Sequence, residues 1–231
     1  HRRPAPLLGD VVAKLDGSSL ESSLARRLRP FVAGSYRGLF DRATTVRPEG
    51  HLVVLSLRDL PDEPQELRAA GTLAALDAIW RRVRSAECKP RIVVVDEAWL
   101  LLGEASAARF LARLAKSARK HWCGLVTVTQ DVSDVLSSDL GQTVLANSAT
   151  RVLLRQSPHT IAELSKAFAL SDGEGSYLQT CRQGRGLYCA GTERASLEVV
   201  ASLEEHALIT DDPEFLASLE ASSKNSGVDQ Q

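Results

Sequence analysis

Three places in the chain carry residue types that can do chemistry. Ile92 to Val95 is a run of four apolar residues, and Asp96 and Glu97 follow it directly. This is the Walker B pattern. A carboxylate at the end of an apolar strand can hold Mg²⁺, usually through water. A second carboxylate beside it can face a γ-phosphate and orient or deprotonate the attacking water. The plainer alternative is that Asp96 caps the next helix. Gln130 follows a second run, residues 124–129. An amide there can bond both a γ-phosphate and the lytic water, although alone it reads as a polar loop residue. Its position one crossover helix after Asp96-Glu97 strengthens the functional reading.

The third place is a set of arginines. Arg119 and Lys120 close the crossover helix, where cations favour the helix dipole. The sharper reading is an arginine that reaches a phosphate in a neighbouring subunit. Arg155 ends a later strand. Arg185 lies between Gly184 and Gly186, and glycines let a backbone approach a ligand or neighbour closely. The phosphate-cradling pattern GxxxxGK[ST] occurs nowhere in the 231 residues. Either the protein is no NTPase, or that loop lies before His1. The chain starts at His1 and contains no Met, which favours a fragment.

The elements that must position these residues are legible from periodicity. Strands are predicted over 51–57, 91–95, 124–129 and 150–155. Ala69, Leu73, Leu76, Trp80 and Val83 form a stripe spaced 4-3-4-3, an amphipathic helix. Ala107, Phe110, Leu111, Leu114 and Ala118 mark the crossover helix. Residues 133–145 read as helical in part. Ser157-Pro158 reads as a helix start. Ser171 with Glu174 three later is a capping box, with Gly184 at that helix's end. Residues 186–190 and 197–202 read as a terminal hairpin. A strand apolar on both faces belongs to a buried parallel sheet. Strands alternating with helices imply right-handed crossovers, and such sheets bind ligands at the carboxyl ends of their strands.

Residues 1–47 read as a helical subdomain. Leu8, Val11, Val12 and Leu15 recur at helical spacing, with Gly17 as a stop. Leu20, Leu24 and Leu28 follow, ended by Pro30, and Phe31, Tyr36, Leu39 and Phe40 form an aromatic patch. Residues 48–215 form the α/β core, and 216–231 a frayed tail.

Composition narrows the function classes. Lys and Arg number 28 against 29 Asp and Glu, for a net charge of −1. That gives no global pull toward nucleic acid or membrane, although 28 cations are enough for a local patch. Hydrophobic residues at 44% and charged residues at 25% exclude wholesale disorder. The longest apolar run is far below the ~18 residues of a membrane span. No apolar region follows His1-Arg2-Arg3-Pro4, so no signal peptide is expected. Cys88, Cys123, Cys181 and Cys189 contain no CxxC pair. They read as free thiols of a reducing cytosol, with a Cys181–Cys189 disulfide left open.

The series VVVDEAWLLL, SARKHWCGLVTVTQDVSDVL, ATRVLLRQS and GRGLYCAG resembles the C-terminal ATPase domain of the large conjugative and type IV secretion ATPases. These are the fourth VirB protein and its TraC- and TrbE-like relatives, in the HerA/FtsK branch of P-loop ATPases. The segment LRPFVAGSYRGLFDRATTV is similar to the family's helical insert. The resemblance covers roughly residues 5–215. It implies a RecA-like P-loop NTPase core, a parallel sheet flanked by helices, with a small helical insert near the N-terminus and a C-terminal hairpin. It also implies ATP and Mg²⁺ as ligands and a phosphate loop upstream of the insert. By matching motifs, Asp96 is the metal-holding member and Glu97 the water-activating member of the Walker B pair, with Gln130 as sensor. Arg119 matches the family's Arg-Lys pair, and Arg155 and Arg185 match two later motifs. Which arginine acts in trans stays open.

The implied function is ATP hydrolysis powering channel assembly or substrate transfer. The partners would be other channel subunits and further copies of the chain, as a dimer or hexamer. Location at the cytoplasmic face of the inner membrane would come through partners. Two alternatives stand beside it: a HerA/FtsK-like DNA translocase, and a non-hydrolysing scaffold. Salt-dependent DNA binding marks the first, and a degenerate phosphate loop marks the second.

Overall fold

A helix or strand forms where an apolar face finds cover and its backbone groups find partners, and the chain meets both conditions in two compact units. These are His1–Val94 with Gly103–Val126, and Val95–Leu102 with Thr127–Gln231. The structure, a computed structural model, describes residues 6–15, 22–45, 49–61, 63–85, 89–130, 132–210 and 212–217. Gly17, Leu20, Cys88 and most of the 216–231 tail lie outside the described residues.

The first unit opens with helices α1 (Leu8–Leu15), α2 (Ser22–Val32) and α3 (Arg37–Phe40). Phe31 is the aromatic hub, 5.7 Å from Tyr36 and 5.2 Å from Phe40 between ring centroids. Gly9 N–H donates to Asp41 Oδ1 at 2.7 Å. Pro30 does not end α2, which continues to Val32. A proline in the last turn forfeits one backbone bond, and little helix remains beyond it to disrupt.

Residues 51–57 form neither strand nor helix and belong to no ladder among the described residues. Leu52 is 84% and Val54 78% exposed. A strand needs a neighbour for its backbone groups, and the apolar run alone does not supply one. The predicted 4-3-4-3 stripe is helix α4 (Gln65–Val83), which buries Leu67, Leu76 and Val83. Strand β1 (Arg91–Val95) leads to helices α5 (Ala98–Leu102) and α6 (Ala105–Ser117), then to a 3₁₀ turn Ala118–His121 and strand β2 (Cys123–Thr127). Helix α6 buries Ala107, Phe110, Leu111 and Leu114. The Phe110 ring meets Trp80 of α4 edge-on at 6.2 Å. Strands β1 and β2 form a two-stranded sheet. Arg91 N–H donates to Trp122 O, and Val128 N–H to Val95 O, both at 2.9 Å. Residue numbers rise together along the pair, so it is parallel, as expected.

The second unit continues through α7 (Val132–Leu136), α8 (Asp139–Ala146), β3 (Thr150–Leu154), α9 (Ile161–Phe168), α10 (Asp172–Thr180), β4 (Arg185–Ala190), β5 (Glu193–Glu198) and α11 (Leu203–Ile209). Its core is Leu153, Ile161, Leu164, Leu178, Leu187 and Cys189. Strand β3 departs from expectation: it pairs antiparallel with β4, Leu153 opposite Leu187, in a sheet β3-β4-β5. Gly186 explains the fit, because a Cβ there would lie 2.1 Å from Leu153 O. The hairpin's second strand is 193–198 rather than 197–202, since the chain turns at Gly191 with φ +60.

Helix α9 starts at Ile161 with Thr160 as N-cap, three residues beyond Pro158. Ser157 O accepts from Thr160 and Ile161 N–H, so the Ser-Pro pair makes a turn ahead of the helix. The capping box of α10 is present. Ser171 N–H donates to Glu174 Oε2 at 2.7 Å, and Glu174 N–H to Ser171 Oγ at 3.3 Å. Arg194 of β5 binds the same Glu174 oxygen at 2.7 Å and Phe168 O at 2.7 Å. The Ser171 N–H chiefly holds the Glu174 carboxyl below its ordinary value; burial opposes it, and the Ser171 hydroxyl and Arg194 add to the lowering. Replacing Ser171 with Ala is expected to cost about 1 kcal/mol, read as a lower denaturation midpoint. A depressed carboxyl stabilises the fold fully above its unfolded value of about 4.3. That contribution is lost as pH falls through the lower folded value, so a Glu174→Gln chain should lose less stability on acidification.

Cys123, Cys181 and Cys189 are buried and free. Burial pushes the Cys123 thiol up. No helix among the described residues is long and apolar enough to cross a membrane.

Candidate functional site

The end of β1 and the residues after β2 are clipped together by backbone bonds. Val128 N–H donates to Val95 O and Ala98 N–H to Val128 O, each at 2.9 Å. Between those clips the chain makes a sharp turn through Asp96 and Glu97. Glu97 has φ +48, the left-handed region, which costs a non-glycine residue about 1 kcal/mol or more. Leu100 N–H then donates to Glu97 O at 2.9 Å and α5 begins.

This turn brings together three of the residues singled out from the sequence, all in the second unit. Gln130 Nε2 donates to Glu97 Oε1 at 2.6 Å. Trp99 Nε1 donates to Glu97 Oε2. Both oxygens of the Glu97 carboxylate are therefore held. Asp96 Oδ1 accepts from Glu97 N–H at 2.9 Å. Its other oxygen has no hydrogen bond among the described residues, and the side chain is exposed. Such a carboxylate suits Mg²⁺, a hard cation that takes one or two carboxylates and completes its shell with water and phosphate oxygens.

Trp99 was not predicted as a site residue. Its signal was present, an indole N–H two residues beyond Glu97. Its partner depends on the left-handed turn, which residue types do not announce.

The arginines lie elsewhere. Arg119 is exposed in the 3₁₀ turn of the first unit. It lines a cleft of about 370 Å³ with Trp122 and Cys123. Trp122 is itself left-handed at φ +54 and 66% exposed. Arg155 is exposed just beyond β3. Arg185 pairs with Glu198 across the β4–β5 hairpin at 2.9 Å. That carboxylate holds its guanidinium above the ordinary value.

Two acids at one strand end, with an amide from the next bound to one of them, form an arrangement compatible with the P-loop ATPases, and the comparisons give that class. The family described as "TraG P-loop domain" matches residues 23–185, and the chain belongs to that family. Two relatives agree with it. The structure of VirB4 of Thermoanaerobacter pseudethanolicus superimposes with a TM-score of 0.70 and 26% identity, over 84% of this chain and 54% of that one. "Type IV secretion system protein CagE" of Helicobacter pylori (strain ATCC 700392 / 26695) is 26% identical over 97 residues, 42% of this chain and 10% of CagE. The chain thus spans about half of one relative and a tenth of the other. The resemblance to the secretion ATPases and the α/β ATPase fold it implied are both borne out.

Proposed function

We propose that the complete protein is an ATP-hydrolysing motor subunit of a type IV secretion or conjugative transfer system. ATP hydrolysis would drive channel assembly or substrate passage. The observation that carries this reading is the Glu97 carboxylate, fixed on one oxygen by Gln130 and on the other by Trp99. A general base must be aimed before it can act, and two donors from different positions aim this one.

In this reading Asp96 would hold Mg²⁺, usually through water. The metal, when bound, would neutralise charge on the β- and γ-phosphates. Glu97 takes the proton of the attacking water. Gln130, now bonded to Glu97, senses the γ-phosphate by exchanging that bond for one to a phosphate oxygen. Arg119, Arg155 and Arg185 are the candidates for charge supplied by a neighbouring copy, and Arg119 is favoured. Arg185 is the weakest, because Glu198 occupies it. The partners are further copies of the chain and other channel subunits, at the cytoplasmic face of the inner membrane.

The direct test is hydrolysis by the Glu97→Gln protein, developed in the Discussion. A second test addresses Trp99. Trp99→Phe keeps the ring and removes the donor. A hydrogen bond to a charged group is worth roughly 1.5–3 kcal/mol. The variant should therefore show kcat reduced at least about tenfold with KM for ATP little changed. An unchanged kcat would leave Trp99 with packing alone.

A further inference from the structure

The first unit carries a cleft lined by none of the residues assigned above to ATP chemistry. It lies between α4 and α6 and has a volume of about 540 Å³, the size of a pocket that admits bulky side chains or a small ligand. Leu73, Trp80 and Phe110 supply apolar lining; Arg109, Arg113 and Asp77 are its charged residues, and Asp77 is already paired with Arg81 at 2.7 Å, so the cationic charge is left in excess. The Arg113 guanidinium stands 5.4 Å from the Trp80 ring and 5.8 Å from Phe110. A second cation, Arg84, stands 5.9 Å from Trp80. Arg109 and Arg113 are exposed and in no close ion pair among the described residues, although, against burial, Arg109 adds to the Ser106 and Ala107 bonds that hold the Glu104 carboxyl below its ordinary value. Tryptophan and arginine are the residue types in which binding energy concentrates at interfaces.

Helix α11 of the second unit has the opposite character. None of its residues is buried. Leu203, Leu208 and Ile209 are 84%, 86% and 70% exposed, and Val200 just before them is 81% exposed. At 100° per residue these three helix positions point to different sides, and a helix apolar on several sides is ordinarily a covered one. The segment from Val199 to Ala217 also carries Glu204, Glu205, Asp211, Asp212 and Glu214, with neither lysine nor arginine. The net charge of −1 therefore conceals a separation of signs: a cationic aromatic cleft at one place and an acidic aliphatic helix at another.

We infer that the α11 segment of one copy docks into the Trp80–Arg113 cleft of a second copy. Aliphatic side chains of α11 enter between Leu73, Trp80 and Phe110, and its acids meet Arg109 and Arg113. Charge complementarity selects this occupant, since the cleft repels a basic partner and the helix repels an acidic one. Two different surfaces are used on each copy, so the contact is head-to-tail and propagates into a ring or a filament. This inference rests on the self-assembly read above and adds the surface through which it occurs.

The test is sedimentation velocity on the whole chain across a concentration series, in low and high salt. The wild-type chain should associate as concentration rises, more weakly in high salt. Two charge-reversed chains are compared with it, Arg109→Glu with Arg113→Glu, and Glu204→Arg with Glu214→Arg. These four side chains are exposed, and circular dichroism verifies the fold. If Arg113→Glu disturbs Trp80, Arg109→Glu alone replaces the cleft pair. Each reversed chain alone should associate at least about tenfold more weakly. An equimolar mixture should recover, because the acidic cleft then meets the basic helix. Reversed chains that associate like the wild type overturn this surface and leave self-assembly standing, as does a loss that mixing does not repair. A wild-type chain that stays monomeric at every concentration overturns both.

Discussion

Glu97→Gln in the complete protein is expected to slow ATP hydrolysis at least about 10²-fold, the usual cost of removing a general base, while nucleotide binding persists. The substitution keeps the side chain's length and shape. It keeps an acceptor oxygen for one of the two donors, the Gln130 amide at 2.6 Å or the Trp99 indole. What it removes is basicity. The measurement is single-turnover phosphate release beside a nucleotide-binding titration. Wild-type turnover with intact binding would take Glu97 out of the mechanism. Weakened binding with unchanged turnover would assign it to nucleotide affinity alone. Glu97→Asp separates charge from reach: it stays basic but shortens away from both donors, so it should be slow as well.

The parts of this fold that were legible in the sequence are those settled by near neighbours. The 4-3-4-3 stripe of α4 and the Ser171–Glu174 capping box each depend on residues within a few positions of one another, and both are present. The parts that were not legible depend on distant partners. Residues 51–57 have the composition of a strand, but a strand also needs another backbone beside it. Residues 150–155 read as a strand, and Thr150–Leu154 forms one, yet its direction relative to its neighbour comes from the 184–191 hairpin and the room Gly186 leaves at Leu153 O. Ser157-Pro158 has the residue types of a helix start. The pair is spent on a turn, and Thr160 takes the cap position.

The gathering of Asp96, Glu97 and Gln130 was foreseeable because strand ends in a parallel pair converge on one edge. The bond between Glu97 and Gln130 is the distance-level form of that rule. Trp99 was not foreseeable, because its donor reaches Glu97 through a backbone conformation that residue types seldom announce. The arginines stand differently again. Their proposed work requires a second copy, so it depends on a contact made between chains. Local bonding still separates them: Arg185 is tied to Glu198, whereas Arg119 and Arg155 present exposed guanidinium groups.

An Arg119→Ala protein is expected to lose roughly 10³–10⁵-fold in hydrolysis rate, the range an arginine finger contributes to phosphoryl transfer. The argument starts from position. Arg119 closes the path from α6 into β2, one strand length before Gln130. Its 3₁₀ turn carries the exposed, left-handed Trp122 beside it. A finger acting across a subunit boundary must be exposed in the single chain and carried by a rigid element. Trp122 N–H bonds to Arg119 O at 3.3 Å and stiffens this one. If the charge arrives from a neighbour, as proposed, activity of the wild-type protein rises with protein concentration. Mixing gives the decisive measurement. Arg119→Ala subunits retain Glu97, and Glu97→Gln subunits retain Arg119. Each is inactive alone, but a mixed assembly contains interfaces that hold both intact groups, so activity should reappear at equimolar ratio and vanish on dilution. If the Arg119→Ala protein is fully active alone at every concentration, the role passes to Arg155, whose guanidinium is also exposed, and then to Arg185, which would first have to leave Glu198.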